Sequence, residues 1–173
     1  MKKSSILAAA SLAVDVVMSI VTLQIQIDPC CQNLNVSVNL TDNFVRDRVI
    51  VKNTGNVNQD YALKVTSTTG SGWTLVTGSP GTNEYRLSAL WHEWSPIPAT
   101  TEFQSNDVLT SSDQTSSDSV FFNEVSETHS VFGTKGYLVP PDNERNLFIW
   151  IQGPSGGSGS LTAHLGLTVL ASP

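Results

Sequence analysis

Apolar and polar residues alternate strictly over stretch after stretch of this chain, and that pattern restricts it to strands that bury one face. Val21, Leu23, Ile25 and Ile27 alternate with Thr22, Gln24 and Gln26, and Leu34, Val36, Val38 and Leu40 alternate with asparagine and serine. Val49 and Val51 follow, then Tyr61, Leu63 and Val65, with Trp73–Thr77 and Glu84–Leu90 as further strands. Leu147, Ile149 and Ile151 oppose Phe148 and Trp150, so this strand is apolar on both faces and is expected at the centre of a sheet. The last strand turns Leu161, Ala163, Leu165, Leu167 and Val169 inward. Turn-forming clusters separate these runs, among them Asn53-Thr-Gly55-Asn56, which reads as a hairpin. The pattern predicts an all-β fold: an antiparallel β-sandwich of about eight to ten strands.

Helical periodicity is absent after the N-terminal segment. There, Lys2 and Lys3 precede an apolar run, Ile6–Met18, broken only by Ser11 and Asp15. Residues 1–19 read as a secretory signal, with cleavage expected after Ser19 and a competing site after Ala13. Residues 20–173 are expected to form a single domain with a long polar excursion at 93–131. No later segment approaches the length of a membrane helix, so the mature chain is expected to be extracellular or at the cell surface, without an integral membrane segment. Charged residues make up only 14% of the chain, and the net charge is −6. A surface of Ser, Thr, Asn and Gly suits a secreted β-protein, and the acidic balance without a basic stripe argues against nucleic acid as a partner. Cys30 and Cys31, the two cysteines, are adjacent. They can form a local or intersubunit disulfide, or remain inert thiols, and zinc ligation lacks further ligands nearby.

The stretch Val49-Ile-Val-Lys-Asn-Thr-Gly-Asn-Val-Asn-Gln-Asp-Tyr-Ala-Leu-Lys-Val65 resembles the early strands of bacterial and archaeal Ig-like domains of the CARDB and NEW3 type. Pro140-Pro-Asp-Asn-Glu-Arg-Asn-Leu-Phe-Ile-Trp150 is similar to their later turn and strand. The two segments cover about a sixth of the chain. The resemblance implies an Ig-like sandwich in a cell-surface setting and carries over no catalytic residue.

Candidate sites are few. Trp91 and Trp94 flank His92 and Glu93, and paired aromatics can plug a core, anchor a neighbouring subunit or stack on surface glycans. The acids of the excursion, Asp107, Asp113 and Asp118 among them, offer hard oxygen ligands that suit calcium, although a solvated, Ser-rich loop explains them more simply. Asn53, Asn56, Asn58 and Asp60 form a second oxygen cluster, which more simply caps a turn. Asn35-Val-Ser37 and Asn39-Leu-Thr41 are glycosylation sequons. His92, His129 and His164 are scattered and no Gly-x-Ser-x-Gly occurs, so no enzyme activity and no cofactor other than calcium is expected. The reading that follows is a structural subunit of an extracellular assembly whose partners are copies of itself. Val21, Leu23, Ile25 and Ile27 would contact the neighbour by strand exchange. A monomeric adhesion or carbohydrate-binding module is the alternative.

Overall fold

A computed structural model describes residues 23–27, 35–70, 72–92, 96–117, 120–122 and 135–172. Val21, Cys30, Cys31, Trp94, Asp118 and the segment 1–19 lie outside the described residues.

Among the described residues nine strands are formed: β1 (Ile25–Ile27), β2 (Asn35–Val38), β3 (Asn43–Asn53), β4 (Gln59–Gly70), β5 (Thr74–Leu75), β6 (Glu84–His92), β7 (Gln114–Thr115), β8 (Glu144–Gln152) and β9 (Leu161–Ala171). They make two sheets, one ordered β1-β3-β8-β6-β5 and the other β2-β9-β4-β7. All pairings are antiparallel except the short parallel contact of β5 with β6. One apolar cluster joins the facing sides: Val49 and Val51, Leu87 and Trp91, and Leu147 and Ile149 of the first sheet meet Val38, Tyr61, Leu63, Leu161 and Ala163 of the second. The protein is an all-β sandwich.

The doubly apolar strand occupies the place its pattern predicts. β8 is the middle strand of the first sheet, and its second apolar face carries Phe148 in a smaller cluster with Leu90 and Phe103, against which Val45 and Trp150 pack. Phe103 comes from the polar excursion, which therefore covers the outer face of the first sheet. The excursion then runs round the side of the sandwich. Leu109 donates to the Leu87 carbonyl, Val65 donates to the Thr110 carbonyl, and β7 pairs with β4 at Leu63 and Ala62. Buried Gln114 holds this crossing, accepting from the Thr110 N–H at 2.9 Å and donating to the Val108 carbonyl at 2.9 Å.

Three local expectations are corrected. The Asn53–Asn56 turn links β3 of one sheet to β4 of the other, so it is a corner between sheets and no hairpin. Asn53 organises it from a fully buried position, donating through Nδ2 to the Val57 and Val139 carbonyls and accepting the Gly55 N–H at Oδ1. Short strands expected around Phe103 and at Val120–Phe122 are absent. Single 3-10 turns at Thr100–Glu102 and Ser105–Asp107 flank Phe103, and Phe121 and Phe122 take φ of 59° and 61°, which no strand tolerates. β3 is longer than its sequence suggested, because a β-bulge between Arg46 and Val49 interrupts the alternation and hides its first half.

Asn53→Ala is expected to cost about 2–4 kcal/mol, since it strands buried carbonyls and an N–H together. A denaturant midpoint lowered at unchanged slope would register it; a midpoint within error of the parent would remove Asn53 as the organiser of the corner.

Candidate functional site

Two N-terminal strands form one side of the sandwich. β1 lies at the rim of the first sheet, with Ile25, Gln26 and Ile27 opposite Asn53, Lys52 and Val51 of β3. The Gln24 carbonyl extends the contact, accepting the Thr54 N–H at 2.9 Å and the Gln59 side-chain amide at 3.1 Å. There the pairing ends, because β3 stops at Asn53 and the chain turns away. Leu23 is 44% exposed. Among the described residues, then, the strand pairs with β3 over Ile25–Ile27. The rest of the β3 rim cannot readily take a further strand: it is bulged and carries Arg46, Asp47 and Arg48 in succession, features that block strand addition.

The aromatic candidate is not at the surface. Trp91 is fully buried in the main core, its indole N–H donates to Ser116 Oγ at 3.1 Å, and its ring lies 5.4 Å from Tyr61. So placed it plugs the core, and the glycan-stacking and subunit-contact readings are corrected for this residue. Trp91 is in period-two phase with Tyr85, Leu87 and Ala89 and shares their core face, while Leu90 makes the opposite face apolar as well. Its neighbour His92 points to the opposite, outer face. His92 is buried against the edge of Phe148, and its Nε2 lies 3.0 Å from Glu102 Oε2. Glu102 Oε1 also accepts the Ala99 N–H at 2.8 Å, so one carboxylate ties the first 3-10 turn of the excursion to β6. A histidine–carboxylate pair could serve general-base chemistry if it met a nucleophile. Ser88, the serine on the same strand face, sits four residues up β6, roughly 13 Å away at strand rise. The pair is a latch.

The excursion acids have structural partners. Asp107 is 1% exposed and its carboxylate accepts the Gln104 N–H at 2.6 Å and the Phe122 N–H at 2.8 Å, binding two parts of the excursion together. Burial pushes its carboxyl up to about 6, against the opposing pull of those two N–H groups. A side chain so enclosed has no open coordination positions, which corrects its place among the calcium candidates. Asp113 is exposed and bonds to Lys64 Nζ at 2.8 Å and Thr168 Oγ1 at 3.2 Å, fastening the strap beside β7 onto the outer face of the second sheet. The hydrogen bond from Lys64 holds its carboxyl below the usual range. Asp60 accepts the Leu138 N–H, and Asn53 is fully engaged in its corner, so the second oxygen cluster is spent on turns. Among the described residues no group of three or more His, Cys, Asp or Glu side chains could hold a metal ion.

Asn39 is exposed in the tight turn between β2 and β3, where its N–H donates to Asp42 Oδ2 at 2.6 Å and Thr41 takes a φ of 60°. Asn35 begins β2, at the rim of the second sheet. His164 is on β9 opposite Asn35, on the outward side that its sequence position indicates. Sequence reasoning passed over the latch residue Glu102 and the bracing role of Asp107. Each is the third residue after an extended one whose N–H it accepts, at Ala99 and Gln104, a spacing visible in sequence but unmarked here by the usual Ser or Thr.

Among the described residues no helix is long and apolar enough to cross a membrane. No family model, curated protein or solved structure matches the chain.

Proposed function

We propose that the protein is an exported, non-enzymatic structural subunit of an extracellular assembly, a filament, pilus-like fibre or surface layer, in which subunits are joined by exchange of the N-terminal strand. One observation carries the reading: among the described residues, the alternating stretch Val21–Ile27 pairs with its own sheet over Ile25–Ile27, at a rim, with the Gln24 carbonyl adding two hydrogen bonds. Cross-strand pairs contribute roughly 0.2–1 kcal/mol each, so β1, held by three such pairs, detaches at modest cost, and rim segments are drawn from the least stable parts of a fold. The strand is uncharged and alternating up to Asp28-Pro29, where the proline has no N–H to continue a ladder. Such a strand pairs well with any open edge it meets.

Electron microscopy of the purified protein is expected to show ordered assemblies. Monodisperse particles of single-subunit mass at high concentration would overturn the proposal. Deleting residues 19–28 is expected to abolish assembly while leaving the far-UV circular dichroism that of a β-protein. Assembly unchanged by the deletion would rule out exchange of this strand.

A further inference from the structure

The geometry points to the open edge of β9, Leu165–Ala171, as the groove that receives the N-terminal strand of a second copy. This proposal rests on the strand-exchange reading and names the surface on which it acts. β9 pairs with β4 along its whole length, from Leu161 opposite Gly70 to Ala171 opposite Gln59. On its other side β2 covers only Leu161–His164. Among the described residues no strand pairs with the β2 side of Leu165–Ala171.

The consequence shows in burial. Leu161 and Ala163, flanked on both sides, are buried, whereas Leu167 and Val169 point to the same core and are only half-buried. Leu170 is 40% exposed. The edge reads Leu-Gly-Leu-Thr-Val-Leu-Ala, without a charge or a proline. An edge of that kind is a template for strand addition, and the usual protections are missing from it. The other rims are poor receptors. β3 is bulged and charged, and β5 and β7 are two residues long.

The donor fits in length and phase. Val21–Ile27 is as long as Leu165–Ala171. Laid antiparallel, as both β2 and β4 run against β9, Val21, Leu23, Ile25 and Ile27 fall opposite the inward-facing Ala171, Val169, Leu167 and Leu165. Thr22, Gln24 and Gln26 then fall on the outer face, which already carries Thr168 and Lys64. The chain's own residues fit only at the start of this edge. Continuing the β2 register backward would set Leu34 opposite Leu165, but then Gln32 opposite inward-facing Leu167, and Pro29, which cannot donate, opposite Leu170. An incoming strand from a neighbour would cover Leu167 and Val169 and pair with the backbone of β9 beside them.

In that register Gln24 faces Thr168, close enough for a disulfide once both are cysteine. Gln24→Cys with Thr168→Cys, in a Cys30→Ser, Cys31→Ser background, is expected to give a reducible ladder of cross-linked oligomers from the oxidised assembly. Neither single substitution in that background should give it. Assemblies visible by microscopy without a ladder would overturn the β9 groove and leave strand exchange standing. Loss of all assembly in the parent protein would overturn both. Thr168→Cys alone, with the native cysteines present, tests the other occupant: a disulfide to Cys31 within one chain would show that the subunit fills its own edge and would overturn the proposal. Hydrogen exchange on the unmodified protein needs no variant. Amides in 165–171 are expected to exchange at least about tenfold more slowly in the assembly than in the single subunit, and equal rates would overturn it.

Discussion

Trp91→Ala is expected to destabilise the protein by about 3–5 kcal/mol, the range for removing a large aromatic from a packed core. The side chain is fully buried and packed against Tyr61, and its N–H is satisfied by Ser116, so truncation opens a cavity and leaves a hydroxyl unpaired. The backbone has little freedom to close it, because Gly136 lies so near the indole that even an alanine Cβ there would collide with the ring. For a domain of this size the loss lowers the melting temperature by roughly 10 °C. Below that temperature the variant should assemble as the parent does, since Trp91 has no surface to offer a partner. A stability within about 1 kcal/mol of the parent would contradict the burial, and intact stability with lost assembly would return Trp91 to the interface.

The second large effect is at Asp107. Asp107→Ala removes the acceptor of two backbone N–H groups, one of them in the buried turn at Phe122, and is expected to cost about 2–5 kcal/mol. The same carboxyl makes stability pH-dependent. Its folded pKa of about 6 lies above the ordinary value of 3.8, so the folded state holds the proton more tightly than the unfolded state. Its contribution is therefore fully present below about pH 4 and is lost as pH rises through about 6, by up to about 3 kcal/mol. Asp107→Asn has no such proton. The stability difference between parent and Asp107→Asn is expected to shift against the parent by that amount between pH 4 and pH 7. A difference that stays flat across the window would mean the carboxyl titrates as an ordinary exposed acid.

These two residues show how far the sequence could be read. The sandwich class, the apolar cores of β4, β8 and β9, and the central place of β8 were all legible, since period-two alternation is a local consequence of the pleat; the polar end of β4, Thr66–Gly70, was not. β8 could be placed at a centre because Phe148 and Trp150 make a second apolar face, which only a strand covered on both sides can bury. Asp107 was legible only as one acid in a polar loop, because its partners are a neighbouring turn and a chain segment well along in sequence. Glu102 was obscured in the same way: its latch to His92 depends on the excursion folding back over the first sheet.

What the sequence determined by itself is therefore the strands, the faces on which each is apolar, and the uncharged character of Val21–Ile27 and of Leu165–Ala171. These follow from the alternation of side chains along an extended backbone, which needs no partner to be defined. Tertiary structure decided where alternation falls silent. In β6 the phase of Tyr85 and Leu87 already sets Trp91 inward, but what covers Leu90 and His92 on the other face, Phe103 and Glu102 of the excursion, was decided by the tertiary fold. At the two ends of the domain, pairing decided the rest: among the described residues β1 meets β3 at Ile25–Ile27, and β2 meets β9 at Leu161–His164. How much of an edge is left open depends on where neighbouring strands stop, and that is set by corners and crossings remote in sequence.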